Sequence, residues 1–171
     1  MYSESRPEDV YLKINEYRRR LVSPRLSPDD VFVNQWLSEK YYGRGFADTE
    51  PEFYTDKGER VRSKSEILIA NELSKAGIPY KYEKPVYIEG IGNVYIDFIL
   101  LIGGTRQVKY LEHFGMMDEE RYINDFFRKL SSYISSGIIP GVNLYMTFES
   151  KNHPLNTKEL KKLINAIKND Y

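Results

Sequence analysis

Residues 94–112 read VYIDFILLIGGTRQVKYLE. Val94 to Ile102 is apolar at almost every position, the pattern of a strand covered on both faces, and Asp97 sits inside it. Gly103-Gly104 is a two-residue hairpin signal, and Gln107 to Glu112 reads as the returning strand. With that turn, Ile102 pairs with Thr105 and Asp97 with Tyr110. Side chains alternate along a strand, so Glu112 shares a face with Tyr110 and becomes the diagonal neighbour of Asp97, about 7–8 Å away at Cα. A three-residue loop would break this parity. An ionised Asp among apolar residues is costly unless it is paired or bound to a metal. The alternative is an Asp near a strand end, bonded to backbone. Two carboxylates at that separation can converge on one ion, and magnesium is commonly held by one or two carboxylates with phosphate and water completing its shell.

Outward from this hairpin the pattern stays regular. The spacing predicts a helix over Val61–Ala76, stopped by Gly77 as the residue after the cap. Strands are expected at Tyr80–Ile88, Val94–Ile102 and Gln107–Glu112, then a helix over Asp118–Ser136 and a strand over Asn143–Phe148. A last helix starts at Asn156, whose spacing to Glu159 suits a capping box. The order α-β-β-β-α-β implies an α/β fold with a mixed central sheet flanked by helices. Glu66 opens the first of these helices in Ser63-Lys64-Ser65-Glu66, a capping-box spacing. It also heads the apolar stripe of Ile69, Ala70 and Leu73, which points toward the sheet. Capping and site roles both remain open for it.

The first part of the chain is less decisive. Val10, Ile14 and Tyr17 fall at helical spacing within a helix read over Pro7–Val22, and the basic run Arg18-Arg19-Arg20 suits a helix C-terminus. Ser23-Pro24 and Ser27-Pro28 break the chain. A second helix is expected over Asp29–Lys40, burying Val31, Val33 and Trp36, and Tyr41–Glu59 looks irregular. Two short helices could hardly fold alone. Residues 1–57 are therefore read as a helical extension packing on a core at 58–171.

Composition narrows the function classes. The 171 residues include no cysteine, which excludes disulfides, thiolate zinc sites and cysteine nucleophiles. No apolar run reaches transmembrane length and the N-terminal MYSESRPEDV is polar, so a cytoplasmic, membrane-free protein is expected. Lys plus Arg and Asp plus Glu both number 25, so net charge argues neither for nor against nucleic acid. Fifteen tyrosines suit half-buried positions.

The segments GERVRSKSEILIANELSKAGIPYKYEKPV, VYIDFIL, YLEHFGMMD and RKLSSYISSGIIPGVNLYMTFES, with the upstream WLSEKYYGRGFADTEPEFYT, carry a resemblance. In their order and spacing they resemble the PD-(D/E)XK nuclease superfamily, with its restriction-endonuclease-like αβββαβ core. The subgroup is that of nuclease domains found alone or attached to DNA helicases. The resemblance covers about two thirds of the chain. It implies hydrolysis of phosphodiester bonds, DNA as substrate, Mg2+ or Mn2+ as cofactor, and a helicase or a second copy of the chain as partner. It places divalent-metal binding on Glu66, Asp97 and Glu112, with the backbone carbonyl of His113 as a further ligand. Two positions depart from the pattern. Ile96 replaces the proline before the signature Asp, and Phe114 stands where a lysine two residues after the second acid is usual.

In relatives with such a gap a residue on the following helix can take over. Tyr122, Phe126, Lys129 and Tyr133 fall on one helical stripe, which puts Lys129 among aromatics and makes it the candidate substitute. Lys129 and Tyr133 also echo the Gln-x-x-x-Tyr motif of RecB-type nucleases. The alternative is a lysine whose stem packs and whose amine reaches water. Strand parity sets Lys109 on the face away from Glu112. His153 has no clear pairing, so a histidine zinc site is not expected. Lys64, Lys81, Lys84 and Tyr133 are the candidate nucleic-acid contacts, although lysines near a hairpin edge also serve to block aggregation. Three functions follow as expectations: a metal-dependent nuclease, a nuclease-like domain that binds nucleic acid without cleaving it, and a protein-interaction domain.

Overall fold

A computed structural model of the chain describes residues 13–19, 21, 29–88 and 91–169. Its contacts divide the chain into two units, Met1–Glu39 and Lys40–Tyr171. The first contains α1 (Glu16–Arg19) and α2 (Asp29–Ser38). Half of the helix read over Pro7–Val22, residues 7–12, 20 and 22, lies outside the described residues. Within them α1 begins only after Asn15, whose carbonyl accepts from Arg18 and Arg19 and whose side chain accepts from the Tyr17 N–H. An Asn in that position caps a helix and does not continue one. In α2, Val31, Val33 and Trp36 are half-buried, not buried as expected.

The second unit is mixed α/β. Its elements are β1 (Phe53–Tyr54), β2 (Arg60–Val61), α3 (Lys64–Ala76), β3 (Tyr80–Tyr82), β4 (Pro85–Ile88), β5 (Gly92–Tyr95), β6 (Phe98–Ile102), β7 (Gln107–Phe114), α4 (Glu120–Ser135), β8 (Leu144–Phe148) and α5 (Thr157–Asn169). Residues 40–57, read from sequence as part of the extension, belong to this unit, and Phe53-Tyr54 pairs with Arg60-Val61. No helix among the described residues is long and apolar enough to cross a membrane.

The central sheet is four-stranded and mixed, in the order β3-β6-β7-β8. The first two pairings are antiparallel, and β7 with β8 is parallel, the connection running through α4. On one face Phe98, Leu100, Ile102 and Leu111 pack against Ile69 and Leu73 of α3 and Leu160, Ile164 and Ile167 of α5. On the other, Tyr133 and Leu130 of α4 close over Tyr110, Leu144 and Met146. The strongly apolar β6 is buried at all five positions because both faces are covered.

Two strands expected to be continuous are each bent. The register Tyr82↔Phe98 and Pro85↔Tyr95 has the same residue sum, so no residue is inserted between them. The chain instead turns at Glu83, which holds φ +45°, and at Ile96-Asp97 opposite it, where the Glu83 N–H donates to the Asp97 carbonyl at 3.0 Å. Positive φ costs a non-glycine residue, and Glu83 is held there by a two-pronged ion pair with Arg62, at 2.7 and 3.1 Å. Beyond this bend β6 no longer covers the end of β7, which leaves residues 112–114 with one side open.

The β6–β7 turn also differs from expectation. Ile102 pairs with Gln107, not Thr105, so the loop spans Gly103–Arg106. Two extra residues preserve parity but slide the register by two. Phe98 pairs with Leu111, and continuation of that register sets Asp97 directly opposite Glu112 instead of diagonal to it.

Candidate active site

Glu112 lies near the end of β7 on the face covered by α4, and only 2 % of it is exposed. Its Oε1 accepts from Lys129 Nζ of α4, and its Oε2 lies 3.4 Å from the Tyr133 hydroxyl and 3.3 Å from the Asp97 N–H. Asp97, half-buried by area but set among protein atoms at the strand bend, accepts the His113 N–H on Oδ2 at 2.8 Å. Residue 113 is thus the first on this side of β7 that β6 no longer pairs, and the Asp97 carboxylate takes the missing strand's place. N–H and C=O of one strand residue point to the same side, so the His113 carbonyl faces that open edge as well.

The electrostatics follow from this crowding. Burial, and then the charge of Glu112, push the Asp97 carboxyl well above the usual carboxylate range, with Lys129 opposing. Burial also raises Glu112, but Lys129 and its hydrogen bond hold it back. The Asp97 carboxylate accepts the His113 main-chain N–H, whereas Glu112 also accepts from the Lys129 ammonium. Lys129 is raised because the two carboxylates outweigh its own desolvation, the larger single effect. Burial and the Glu112 charge push the Tyr133 phenol up, so it remains a protonated donor.

Glu66 lies in the first turn of α3. Ser63 caps that helix, accepting the Glu66 N–H at 3.2 Å, while Glu66 Oε1 accepts from the Ser63 hydroxyl at 3.0 Å. Glu66 Oε2 accepts from Arg62 N–H at 2.9 Å and from the Tyr82 hydroxyl at 2.6 Å. Of the two roles left open for Glu66, the capping one is seen directly in these bonds, and toward Asp97 it contributes charge only. Tyr82 is buried and anchors this carboxylate, a role that the sequence reading did not assign to it. The signal was its i+2 relation to Tyr80 on a strand facing α3.

The remaining candidates separate from the site. Lys109 lies on the opposite face, its amine 3.1 Å from the Tyr145 hydroxyl, as parity required. Lys64 is exposed at the start of α3 and Lys84 is half-buried. Lys81 is 3 % exposed with its amine over the Tyr41 ring, so it offers no open surface for a nucleic-acid contact. Tyr133 is wholly buried and bonds Glu112 from below, which removes it from any surface as well. The His113 ring points away from Glu112 and joins a second buried group that the sequence did not reveal. Its Nδ1 is 2.9 Å from Thr147 Oγ1, and its Nε2 approaches Glu149 at 3.2 Å as an ion-pair contact and not an aligned hydrogen bond. Glu149 also accepts the Ser65 hydroxyl at 2.6 Å. Burial acts to raise it, but Ser65 and His113 together pull it below the ordinary glutamate value. This group ties the first turn of α3 to β7 and β8.

Among the described residues no three Asp, Glu or His side chains form a group placed to hold a metal ion, because Glu66 is turned to its helix cap and Lys129 stands against Glu112. The donor chemistry suits a hard cation nonetheless. Asp97 and Glu112 offer carboxylate oxygens side by side, and the His113 carbonyl faces the same edge. Fully ionised, Glu66, Asp97 and Glu112 set three negative charges against the one positive charge of Lys129, an excess that a divalent ion would cancel. No family model matches the chain, and no curated relative or solved structure matches it.

Proposed function

We propose that the second unit is a metal-dependent nuclease domain of the PD-(D/E)XK type that hydrolyses phosphodiester bonds in DNA. One observation carries the reading: Asp97 and Glu112 meet where β7 runs past its pairing with β6, with Lys129 directed at Glu112 from α4. Such a trio, two acids and a cation at the end of a hairpin beside a helix-borne Glu66, suits phosphoryl chemistry better than a purely structural role. A structural pair would gain little from burying two like charges together.

Asp97 and Glu112, with Glu66 beside them and the His113 carbonyl at the same edge, would hold Mg2+ or Mn2+. The bound ion supplies an acidified water and a Lewis acid for the phosphate oxygen. The chain's own residues do the rest. Lys129, which stands against Glu112, would offer its ammonium to the charge that builds on the phosphoryl oxygens. Tyr133 keeps Glu112 oriented, and the His113 N–H keeps Asp97 oriented. Apolar cover from Phe114, Tyr133 and Ile96 keeps the dielectric low, which strengthens each of these interactions.

The test is cleavage of plasmid and of labelled single-stranded DNA with magnesium or manganese. Wild-type protein cuts and Asp97→Ala and Glu112→Ala do not. Undiminished cutting by Asp97→Ala overturns the reading. A second reading, a domain that binds nucleic acid without cleaving it, is favoured by Phe114 at the usual lysine position and by the closed Lys129–Glu112 pair. It predicts salt-sensitive DNA binding with no metal-dependent cleavage.

A further inference from the structure

The segment from Tyr41 to Phe46 is held by side-chain contacts at its two ends and by backbone contacts at residues 43–45. The Tyr41 hydroxyl donates to the Tyr82 carbonyl at 2.9 Å. Gly43 lies so close to the Glu83 carbonyl that an added Cβ would meet it at 3.3 Å. Arg62 Nη2 donates to the carbonyls of both Arg44 and Gly45 at 2.9 Å. The Phe46 ring is covered by the guanidinium groups of Arg60 and Arg62, each 4.4 Å from its centroid. The same Arg62 donates its N–H to Glu66, so this strap is fixed to the residue that anchors one of the site's acids.

Two side chains of the strap are left facing outward. Tyr42 is 95 % exposed, and Arg44 is exposed beside it. The Arg44 carbonyl is held by Arg62, the residue bonded to Glu66, and Arg44 lies near enough to Lys129 for the two positive charges to act on one another. Like charges brought together on a fixed backbone make a seat for an anion, and an exposed aromatic one residue removed from the arginine makes a platform for a flat ring.

We infer that Tyr42 and Arg44 form a clamp for single-stranded DNA, with Arg44 on a backbone phosphate next to Lys129 and Tyr42 stacked on an adjoining base. The clamp rests on the nuclease reading, and it adds the strand state of the substrate to it. A duplex keeps its bases stacked internally and offers Tyr42 no free face, whereas a single strand does. Because the backbone is already held by Arg62, little ordering is required when the strand arrives.

The experiment is fluorescence anisotropy with a labelled oligothymidylate and a blunt duplex, with calcium in place of magnesium, alongside cleavage of the same single strand in magnesium. Both residues are exposed, so their replacement leaves the core intact. Tyr42→Ala is expected to weaken oligothymidylate binding by about tenfold or more, and Tyr42→Phe to retain it. Duplex binding is unchanged by Tyr42→Ala. Arg44→Ala lowers the slope of log affinity against log salt by about 0.7, the loss of one single-strand phosphate contact. If wild-type protein binds and cuts the oligonucleotide and both alanine variants match it, the clamp is overturned and the nuclease reading survives. If wild-type protein neither binds nor cuts DNA, the nuclease reading fails and the clamp falls with it.

Discussion

Lys129 of α4 donates to Glu112 of β7 from a position above two rings, its amine 6.0 Å from the Phe114 centroid and 5.7 Å from that of Tyr133. The pairing places a cation against a carboxylate that has almost no exposure, while about a third of the lysine side chain, 36 %, still meets solvent. Lysine can therefore leave without unfolding its surroundings, and Glu112 cannot.

Replacement of Lys129 by Met removes the charge and keeps much of the packed stem. Breaking a fully buried pair costs about 3–5 kcal/mol, and the partial exposure of Lys129 reduces this to about 1–3 kcal/mol. Cleavage should fall by about 10²–10³, the usual effect of losing one group that stabilises transition-state charge. Denaturant melts and single-turnover cleavage check both figures. Wild-type rates in Lys129→Met would remove lysine from the mechanism.

The acids make stability depend on pH with a definite sign. Asp97 and Glu112 have folded values raised above their unfolded ones, so the folded state holds more protons between the two. Stability then falls as pH rises from the ordinary carboxylate range through the raised folded values. Asp97→Asn keeps an oxygen for the His113 N–H and removes the charge. Its melting temperature without metal should exceed that of wild type at neutral pH, with the gap shrinking toward pH of about 4, where unfolded carboxylates also protonate. Magnesium should raise the wild-type melting temperature and leave Asp97→Asn unmoved. A gap that is constant with pH would contradict the assignment of raised values to this pair.

The sequence made Asp97 and Glu112 neighbours because period-two alternation survives any even change in loop length. It misjudged their distance because Gly103-Gly104 looked like the whole turn, whereas Thr105 and Arg106, the latter at φ +56°, also belong to it. The Arg62–Glu83 pair that stabilises the bend joins residues 21 apart and leaves no periodic trace. Ser65, His113, Thr147 and Glu149 were invisible as a group for the same reason. Lys129 was legible because a lysine on an aromatic helical stripe conflicts with its surroundings. Its partner followed only from the packing of α4 on β7.

Tyr133→Phe isolates one hydroxyl. The ring is fully buried and stays, so stability should change by no more than about 1 kcal/mol, the net worth of a single hydrogen bond. Glu112 loses its phenol donor and some of its fixed orientation. A severalfold fall in kcat with KM unchanged is expected in steady-state cleavage. Tyr133→Ala should instead cost about 3–5 kcal/mol by opening a cavity. An equal rate in Tyr133→Phe would make Tyr133 a packing residue alone.

The cap role of Glu66 and the metal role proposed for it can be separated by two variants. Ser63→Ala removes the cap hydroxyl and should cost about 1 kcal/mol of stability while leaving metal affinity in place. Glu66→Gln keeps a carbonyl oxygen for Arg62 N–H and Tyr82 but removes the charge that acts on Asp97. It should weaken manganese binding, read by calorimetry, with little change in melting temperature. Identical behaviour of the two variants would leave Glu66 with the cap only.

Position 114 is where the resemblance expects a lysine, and strand parity does set it on the same face as Glu112. The Phe114 ring is committed elsewhere: it packs edge-on to Phe126 at 4.7 Å and stacks on Phe148 at 5.6 Å. A lysine introduced there would give up that aromatic burial, worth about 3–5 kcal/mol for a Phe truncated in a core. Its ammonium would also have to leave an apolar cluster before it met Glu112. Phe114→Lys combined with Lys129→Met should therefore be less stable than Lys129→Met by several kcal/mol and should recover no cleavage. Recovery of activity in the double variant would show that the cation's place on β7 or on α4 is immaterial. In that event, the aromatic platform under Lys129 would have no part in the chemistry.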